Sequence, residues 1–235
     1  MNHPPKILFK YPCRGRKDLF FESLNSLHDN IRDKDNYHIS LTLDLDDEVL
    51  HTAEVMDMIS EYPNTSIEWG YSKSKIHAIN RSMPEYDWDI IICWSNDMTC
   101  LFYGMDDIIR MDMLSKWGHK GFDGLGHWPE PDTKDILNVL YVATRKYYDK
   151  FGYIYHPSYL SLWADNESML VAKMLGKYQF FNTNGLYVHR NPAYSHHGIE
   201  KDELFKEQQS LWITDEKNFI ERKSRGFDLH LIQDK

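Results

Sequence analysis

The segment Asp89-Ile90-Ile91-Ile92-Cys93-Trp94-Ser95-Asn96-Asp97-Met98 constrains the fold more than any other stretch of the chain. Its apolar run has the length and β-branched content of a strand buried on both faces, as in a parallel sheet covered by helices on each side. The run stops abruptly in Ser95-Asn96-Asp97. Open α/β sheets place ligands beyond the carboxyl ends of their strands. A carboxylate fixed there is a hard oxygen ligand for a divalent ion. Taken alone, Asp97 reads equally well as a polar residue leaving a strand.

The residues before this run repeat a strand–helix alternation. Lys6–Tyr11 predicts a first strand, stopped by Pro12 and the basic turn Arg14-Gly15-Arg16. Leu19, Phe20, Leu24, Leu27 and Ile31 follow at helical spacing, with Asp18 as the expected cap. Tyr37–Leu43 predicts a second strand ending in Asp44-Leu45-Asp46-Asp47, whose last two acids are placed to cap a helix over Val49–Tyr62. Ser66–Gly70 predicts a third strand, and Lys73–Met83 a third helix closed by Pro84. Three such units with short connections predict an α/β fold with a Rossmann-like, mostly parallel central sheet and helices on both faces.

After Asp97 the pattern loosens. Helices are expected over Met105–Trp117, Arg145–Phe151 and Asp165–Leu175, the last ended by Gly176. Strands are expected over Gly121–His127, Leu137–Ala143, Gln179–Phe181 and Leu186–His189, and one long charged helix over Lys201–Arg225. No repeat or low-complexity linker divides the 235 residues, so a single domain is expected.

Composition excludes several classes. The net charge of −9 disfavours long-range steering towards nucleic acid or anionic membrane. No apolar run approaches the ~20 residues of a membrane span, and the N-terminus lacks a signal-peptide pattern. Cys13, Cys93 and Cys100 have no zinc-type spacing and read as reduced thiols, so a cytoplasmic location is expected. Neither Gly-x-Gly-x-x-Gly nor the Walker lysine pattern is present, which argues against dinucleotide oxidoreductases and P-loop enzymes.

Acids fall at strand ends and helix starts: Asp44, Asp46 and Asp47 after strand two, Asn96 and Asp97 after strand four, Asp165 and Glu167 at a helix start. Singly, an acid at a helix start is more often a cap. Together, strands two and four bring carboxylates to one sheet edge, where Arg14, Arg16, Lys73 and Lys75 also lie. Metal, diphosphate and cations would meet there. Trp94, Trp128, Tyr155, Tyr159 and Trp163 are candidate sugar-stacking rings, with Trp94 better read as core. His196-His197 reads either as a loop over the ligand or as a plain surface turn.

These motifs, in this order, resemble the GT-A glycosyltransferases, close to the large family 2 group. Tyr11-Pro12-Cys13-Arg14-Gly15-Arg16 matches the opening strand and basic turn. Lys75-Ile76-His77-Ala78-Ile79-Asn80 matches the Lys-x-x-Ala-x-Asn helix, Ser95-Asn96-Asp97 the Asp-x-Asp-type motif, and Ala164-Asp165 the late motif that carries the base. Ser95 and Ala164 stand where the family carries acids. The likeness runs from Ile7 to Arg190, and the compactness is similar to that of bacteriophage glycosyltransferases.

The resemblance implies a metal-dependent transfer of sugar from a nucleotide-sugar, a uridine diphosphate donor, to an acceptor hydroxyl with inversion. Residues 1–98 would bind the donor, 99–200 the acceptor, and 201–235 would form a C-terminal helix. Pro12, Arg14, Arg16, Asp44, Lys75, Asn80, Ser95 and Asn96 would hold the nucleotide-sugar. Asp97 and His189 would hold Mn2+ or Mg2+, and Asp165, with Glu167 close by, would supply the base. A helix N-terminus is expected to lower the Asp165 pKa. The acceptor is open among a glycan, a lipid-linked saccharide, a protein and a modified nucleobase. A nucleotidyltransferase and a non-catalytic nucleotide-sugar-binding protein of the same fold are the competing readings.

Overall fold

Ile7, Leu8 and Phe9, like Ile90, Ile91 and Ile92, are fully buried without alternation, because their strands are covered on both faces. The computed structural model describes residues 3–232. Strands β1 (Ile7–Pro12), β2 (Tyr37–Asp44), β3 (Thr65–Gly70) and β4 (Ile90–Cys93) are mutually parallel. They stand in the order β3-β2-β1-β4, then continue into three short strands, β7 (Val142–Thr144), β6 (Leu125–His127) and β8 (Tyr178–Phe180). β7 runs antiparallel to both β4 and β6, and β8 is parallel to β6. A separate antiparallel ribbon joins β5 (Met98–Cys100) to β9 (Tyr187–His189). The sheet is therefore mostly parallel, as the sequence predicts.

Successive residues of the strands feed two cores. Ile7, Phe9, Ile90 and Ile92 pack with α1 (Lys17–Asn30), α2 (Ala53–Ser60) and α4 (Met105–Trp117) on one face. Leu8, Ile91 and Cys93 pack on the other with α3 (Lys75–Asn80), α5 (Arg145–Asp149), α6 (Ala164–Met174) and Phe219 of α8 (Trp212–Ser224). Within β6 the Trp128 ring fills the space beside Gly126, where a Cβ would meet it at 2.5 Å, so only glycine fits there. No helix among the described residues is long and apolar enough to cross a membrane.

Three local expectations are corrected. Asp18 does not cap α1. Arg16 occupies that position in the left-handed conformation, and Asp18 lies in the first turn, where its charge still favours the helix dipole. Asp47 does not cap α2 either. Thr52 does, while the Asp47 carboxylate accepts from the backbone of Val49, Leu50 and Gly15. The long C-terminal helix breaks at Leu211 into α7 (Glu203–Ser210) and α8, because its halves have separate anchors. Asp202 of α7 pairs with Arg16, whereas Asp215 of α8 accepts the N–H groups of Leu160, Ser161 and Leu162.

A buried ion pair ties the first layer together. Asp106 of α4 is fully buried and accepts from Arg110 at 2.6 Å and from the backbone of Arg32 and Asp33. Arg110 in turn donates to the carbonyls of Pro5 and Asn36, just before β1 and β2. Removing one partner strands the other charge in the interior. Asp106→Ala is expected to cost about 3–5 kcal/mol, measured as a lowered urea midpoint.

Candidate functional site

The apolar run of β4 ends in a turn whose geometry is fixed from beneath. The Trp94 indole donates to Ser23 Oγ at 3.0 Å, and that hydroxyl donates to the Ser95 carbonyl at 3.0 Å. Ser95 Oγ bonds Asp97, and the Asn96 amide donates to Cys13 Sγ. The β5–β9 register pairs Met98 with His189, and Arg190 N donates to the Asp97 carbonyl at 2.7 Å. The ribbon thereby brings His189 Nε2 to 3.3 Å from Asp97 Oδ2. Two ligands of one ion, each at about 2.0–2.2 Å, lie roughly 3 Å apart, so the pair fits a shared divalent metal. Both residues line the cleft.

Burial alone would raise the Asp97 pKa, but the His189 charge and hydrogen bond outweigh it and hold the carboxyl far below its ordinary value. Burial likewise opposes a charged His189, and the Asp97 carboxylate reverses that, leaving the imidazole raised. Asp97 is thus a carboxylate at neutral pH, the form a metal needs.

The ends of β1 and β2 supply a second polar knot. Asp44 accepts from Arg14 at 2.9 Å, Arg81 at 2.9 Å and Ser72 at 2.5 Å. Arg14 also bonds Asp46. Arg16 makes a two-pronged pair with Asp202, both contacts at 2.6 Å. Lys75, at the start of α3, has no ion-pair partner among the described residues. It is nevertheless close enough to lower the Asp97 and Asp165 pKa values and to oppose protonation of His189.

Across the cleft, α6 begins after Trp163, a left-handed residue at φ 65°. The Trp163 ring turns away from the cleft to pack on Trp212 and Phe219. Asp165 lines the cleft and accepts from Asn166 N at 2.8 Å. Burial raises its pKa above the ordinary carboxylate value, against the lowering expected from the helix end. The desolvation of a carboxyl open only to the cleft exceeds the first-turn dipole effect.

Ten of the twelve residues singled out from sequence line one cleft of about 480 Å3: Pro12, Arg14, Arg16, Asp44, Lys75, Ser95, Asn96, Asp97, Asp165 and His189. Two do not. Glu167 is buried away from the cleft, accepting from Arg222 at 2.8 Å twice and from Tyr159 at 2.7 Å. Asn80 clasps the backbone of Ile154 and Tyr155. Trp94, Trp128 and Tyr159 are core residues; of the candidate aromatic residues Tyr155 and the fully buried Trp94 border the cleft. His196 and His197 lie outside the cleft, against Asp132.

The sequence reading passed over Arg81, Ser72 and α7, whose Glu207, Gln208 and Leu211 close one side. A cation directly after the Lys-x-x-Ala-x-Asn helix was the available signal for Arg81. Asp202 gave none, because its partner lies 186 residues away.

No family model matches the chain, and no curated protein matches it. Solved structures do. A mannosyltransferase from Pyrobaculum calidifontis, in complex with GDP-Man and Mn2+, superposes with a TM-score of 0.60 at 14% identity, over 77% of this chain and 55% of that one. S. aureus TarS (residues 1–349) in complex with UDP gives 0.61 at 10% identity, over 78% and 60%. A Drosophila galactosyltransferase 7 mutant with manganese, UDP-Gal and xylobiose gives 0.51 at 12%, over 85% and 75%. The fold is that of the GT-A glycosyltransferases. The chain spans 55% and 60% of the first two.

The two acids of α6 are expected to behave oppositely. Glu167→Ala breaks a buried pair and should lower stability by about 3–5 kcal/mol. Asp165 has a raised pKa, so its ionisation opposes folding, and stability falls as pH rises from about 3.9 through the raised value. Asp165→Asn should therefore match or exceed wild-type stability at pH 7, read in parallel urea titrations.

Proposed function

We propose that the protein is a metal-dependent glycosyltransferase that moves a sugar from a uridine diphosphate donor to an acceptor hydroxyl with inversion. The observation that carries this reading is the placement of Asp97 with His189 on one wall and Asp165 on another wall of one cleft. A volume of about 480 Å3 suits a nucleotide-sugar. The neighbouring structures support the same reading: two hold a nucleotide-sugar with manganese, and one holds UDP.

Asp97 and His189 would hold the ion, Mn2+ or Mg2+, which when bound supplies Lewis-acid stabilisation of the leaving diphosphate. Lys75 offers that diphosphate an unpaired positive charge. Arg14 and Arg16 add donors once they share their carboxylate partners. Asp44, held by Arg14, Arg81 and Ser72, shapes the floor where the nucleoside enters. Asp165 takes the proton of the acceptor hydroxyl as its oxygen bonds to the anomeric carbon. The bond from that carbon to the diphosphate oxygen breaks, and uridine diphosphate leaves. A single displacement inverts the anomeric centre. The raised Asp165 pKa makes it a stronger base than a solvated carboxylate.

A thermal-shift screen of sugar nucleotides with and without manganese tests the donor assignment, since a ligand bound only by the folded state raises its stability. Asp97→Ala should abolish the manganese-linked shift without unfolding the protein. A shift that survives in this variant overturns the metal assignment. Binding without transfer, across a panel of glycan, lipid-linked saccharide, protein and modified-nucleobase acceptors, would leave a nucleotide-sugar-binding protein instead.

Asp165→Asn should lower kcat by ~10²–10⁴-fold with donor affinity intact. In the wild type the acid limb of kcat/KM should titrate above the ordinary carboxylate value of about 3.9, and the variant should lose that limb. Retained configuration in the product NMR spectrum rules out the single displacement. Lys75→Met should weaken uridine diphosphate and its sugar conjugate alike, measured by calorimetry. Unchanged affinity for both would show that the lysine serves only the surface.

A further inference from the structure

We infer that Asp132, His196 and His197 form a second divalent-metal site, distinct from the Asp97–His189 pair and suited to zinc. The three residues come from two segments. Asp132 lies in the loop after β6, and the histidines lie in the short 3-10 turn Ser195–His197 after β9. His196 Nε2 is 3.1 Å from Asp132 Oδ1, and His197 Nε2 is 2.6 Å from Asp132 Oδ2. The three ligand-bearing groups converge with their donor atoms within 4.8 Å of one another. It is the one such three-residue group among the described residues.

Geometry and chemistry point to the same ion. Tetrahedral ligands about 2.0–2.1 Å from zinc lie roughly 3.3 Å apart. The His196 contact is already near that value, and the His197 contact needs to open by several tenths of an ångström. Two imidazoles and one carboxylate form a borderline set that suits zinc better than manganese or magnesium, which prefer all-oxygen shells. Asp132 and His197 are largely buried, at 11% and 10% exposure, while His196 is 60% exposed. The group is thus walled on one side and open to solvent on the other, at His196, which leaves an entry path. Tyr194 packs beside both imidazoles, with ring centroids 6.0 and 6.3 Å away. In the loop Glu130–Asp135 three carboxylates, Glu130, Asp132 and Asp135, outnumber the one cation, Lys134, so its net charge is negative.

The competing arrangement has no metal. Two neutral imidazoles would each donate an Nε2–H to the same carboxylate. The two differ in consequence. A bound ion staples the 195–197 turn to the loop after β6. The strap so fixed starts at His189 and ends at Asp202, where α7 closes the cleft. A structural ion of this kind contributes its binding free energy to folding.

The test uses chelator-stripped protein titrated with Zn2+, and with Co2+ as a spectroscopic substitute. Asp97→Ala should retain one zinc per chain and a visible cobalt spectrum of four-coordinate character. His196→Ala, at an exposed ring that folding does not need, should lose zinc affinity by about tenfold or more, together with that spectrum. Asp132→Asn should do the same, and if it fails to fold, His196→Ala decides alone. Equal zinc affinity in wild type and His196→Ala overturns the site. So does complete loss of zinc in Asp97→Ala. Both readouts are independent of transfer activity, so the failure of the proposed glycosyltransferase reading would leave this result standing.

Discussion

The cleft depends on the turn that follows β4, and that turn depends on one hydroxyl. Ser23 accepts the Trp94 indole N–H and donates to the Ser95 carbonyl from below. Each such bond is worth about 1 kcal/mol net, but leaving both groups unpaired in a dry layer would cost more than that sum. With the turn held, Asp97 stands at the head of β5, and the pairing of Met98 with His189 decides which residue of β9 faces it. A register slip by one residue would turn His189 to the other face of the ribbon. The Asp97–His189 contact therefore rests on backbone register, not on side-chain flexibility.

Two carboxyls in one cleft are driven in opposite directions by their surroundings. Asp97 has an imidazole at 3.3 Å and a nearby lysine, which together overcome its burial. Asp165 has the same lysine but no direct cationic partner, so burial prevails. Pairs of acids pushed apart in this way divide the labour of binding charge and moving protons. Asp44 takes neither part: two guanidinium groups and a hydroxyl occupy its oxygens, which makes it an organiser of Arg14 and Arg81.

Periodicity made the first half of the fold legible. The short, β-branched Ile90-Ile91-Ile92 run favours a strand covered on both sides, and a helix follows each earlier strand. β6, β7 and β8 are three residues each, too short for a period to declare direction, so the antiparallel entry of β7 beside β4 was not readable. The candidate site was legible where a cleft-lining acid stands at a strand end or helix start, as at Asp97 and Asp165. It was not legible where a residue's role is set by a distant partner. Glu167 is two positions from Asp165, yet Arg222 claims it from 55 residues away. Asn80 ends α3 three residues short of the expected Met83, and its side chain is spent on the loop at Ile154 and Tyr155.

The balance of charge in the cleft follows from these pairings. Arg14 is shared between Asp44 and Asp46, Arg16 is held by Asp202, and His189 faces Asp97. Each is thereby oriented without a ligand, which limits the reorganisation that binding would require. The Arg16–Asp202 pair also carries a mechanical role. It spans from the turn after β1 to the first residues of α7, and Arg16 accepts a left-handed backbone to make it. An anion entering the cleft competes with Asp202 for Arg16, and so acts on the helix that forms one wall. Lys75 has no such prior claim on its charge. Under the proposed function an incoming diphosphate would meet Lys75 without breaking an ion pair among the described residues, and would reach the arginines only by loosening contacts that hold the cleft in shape.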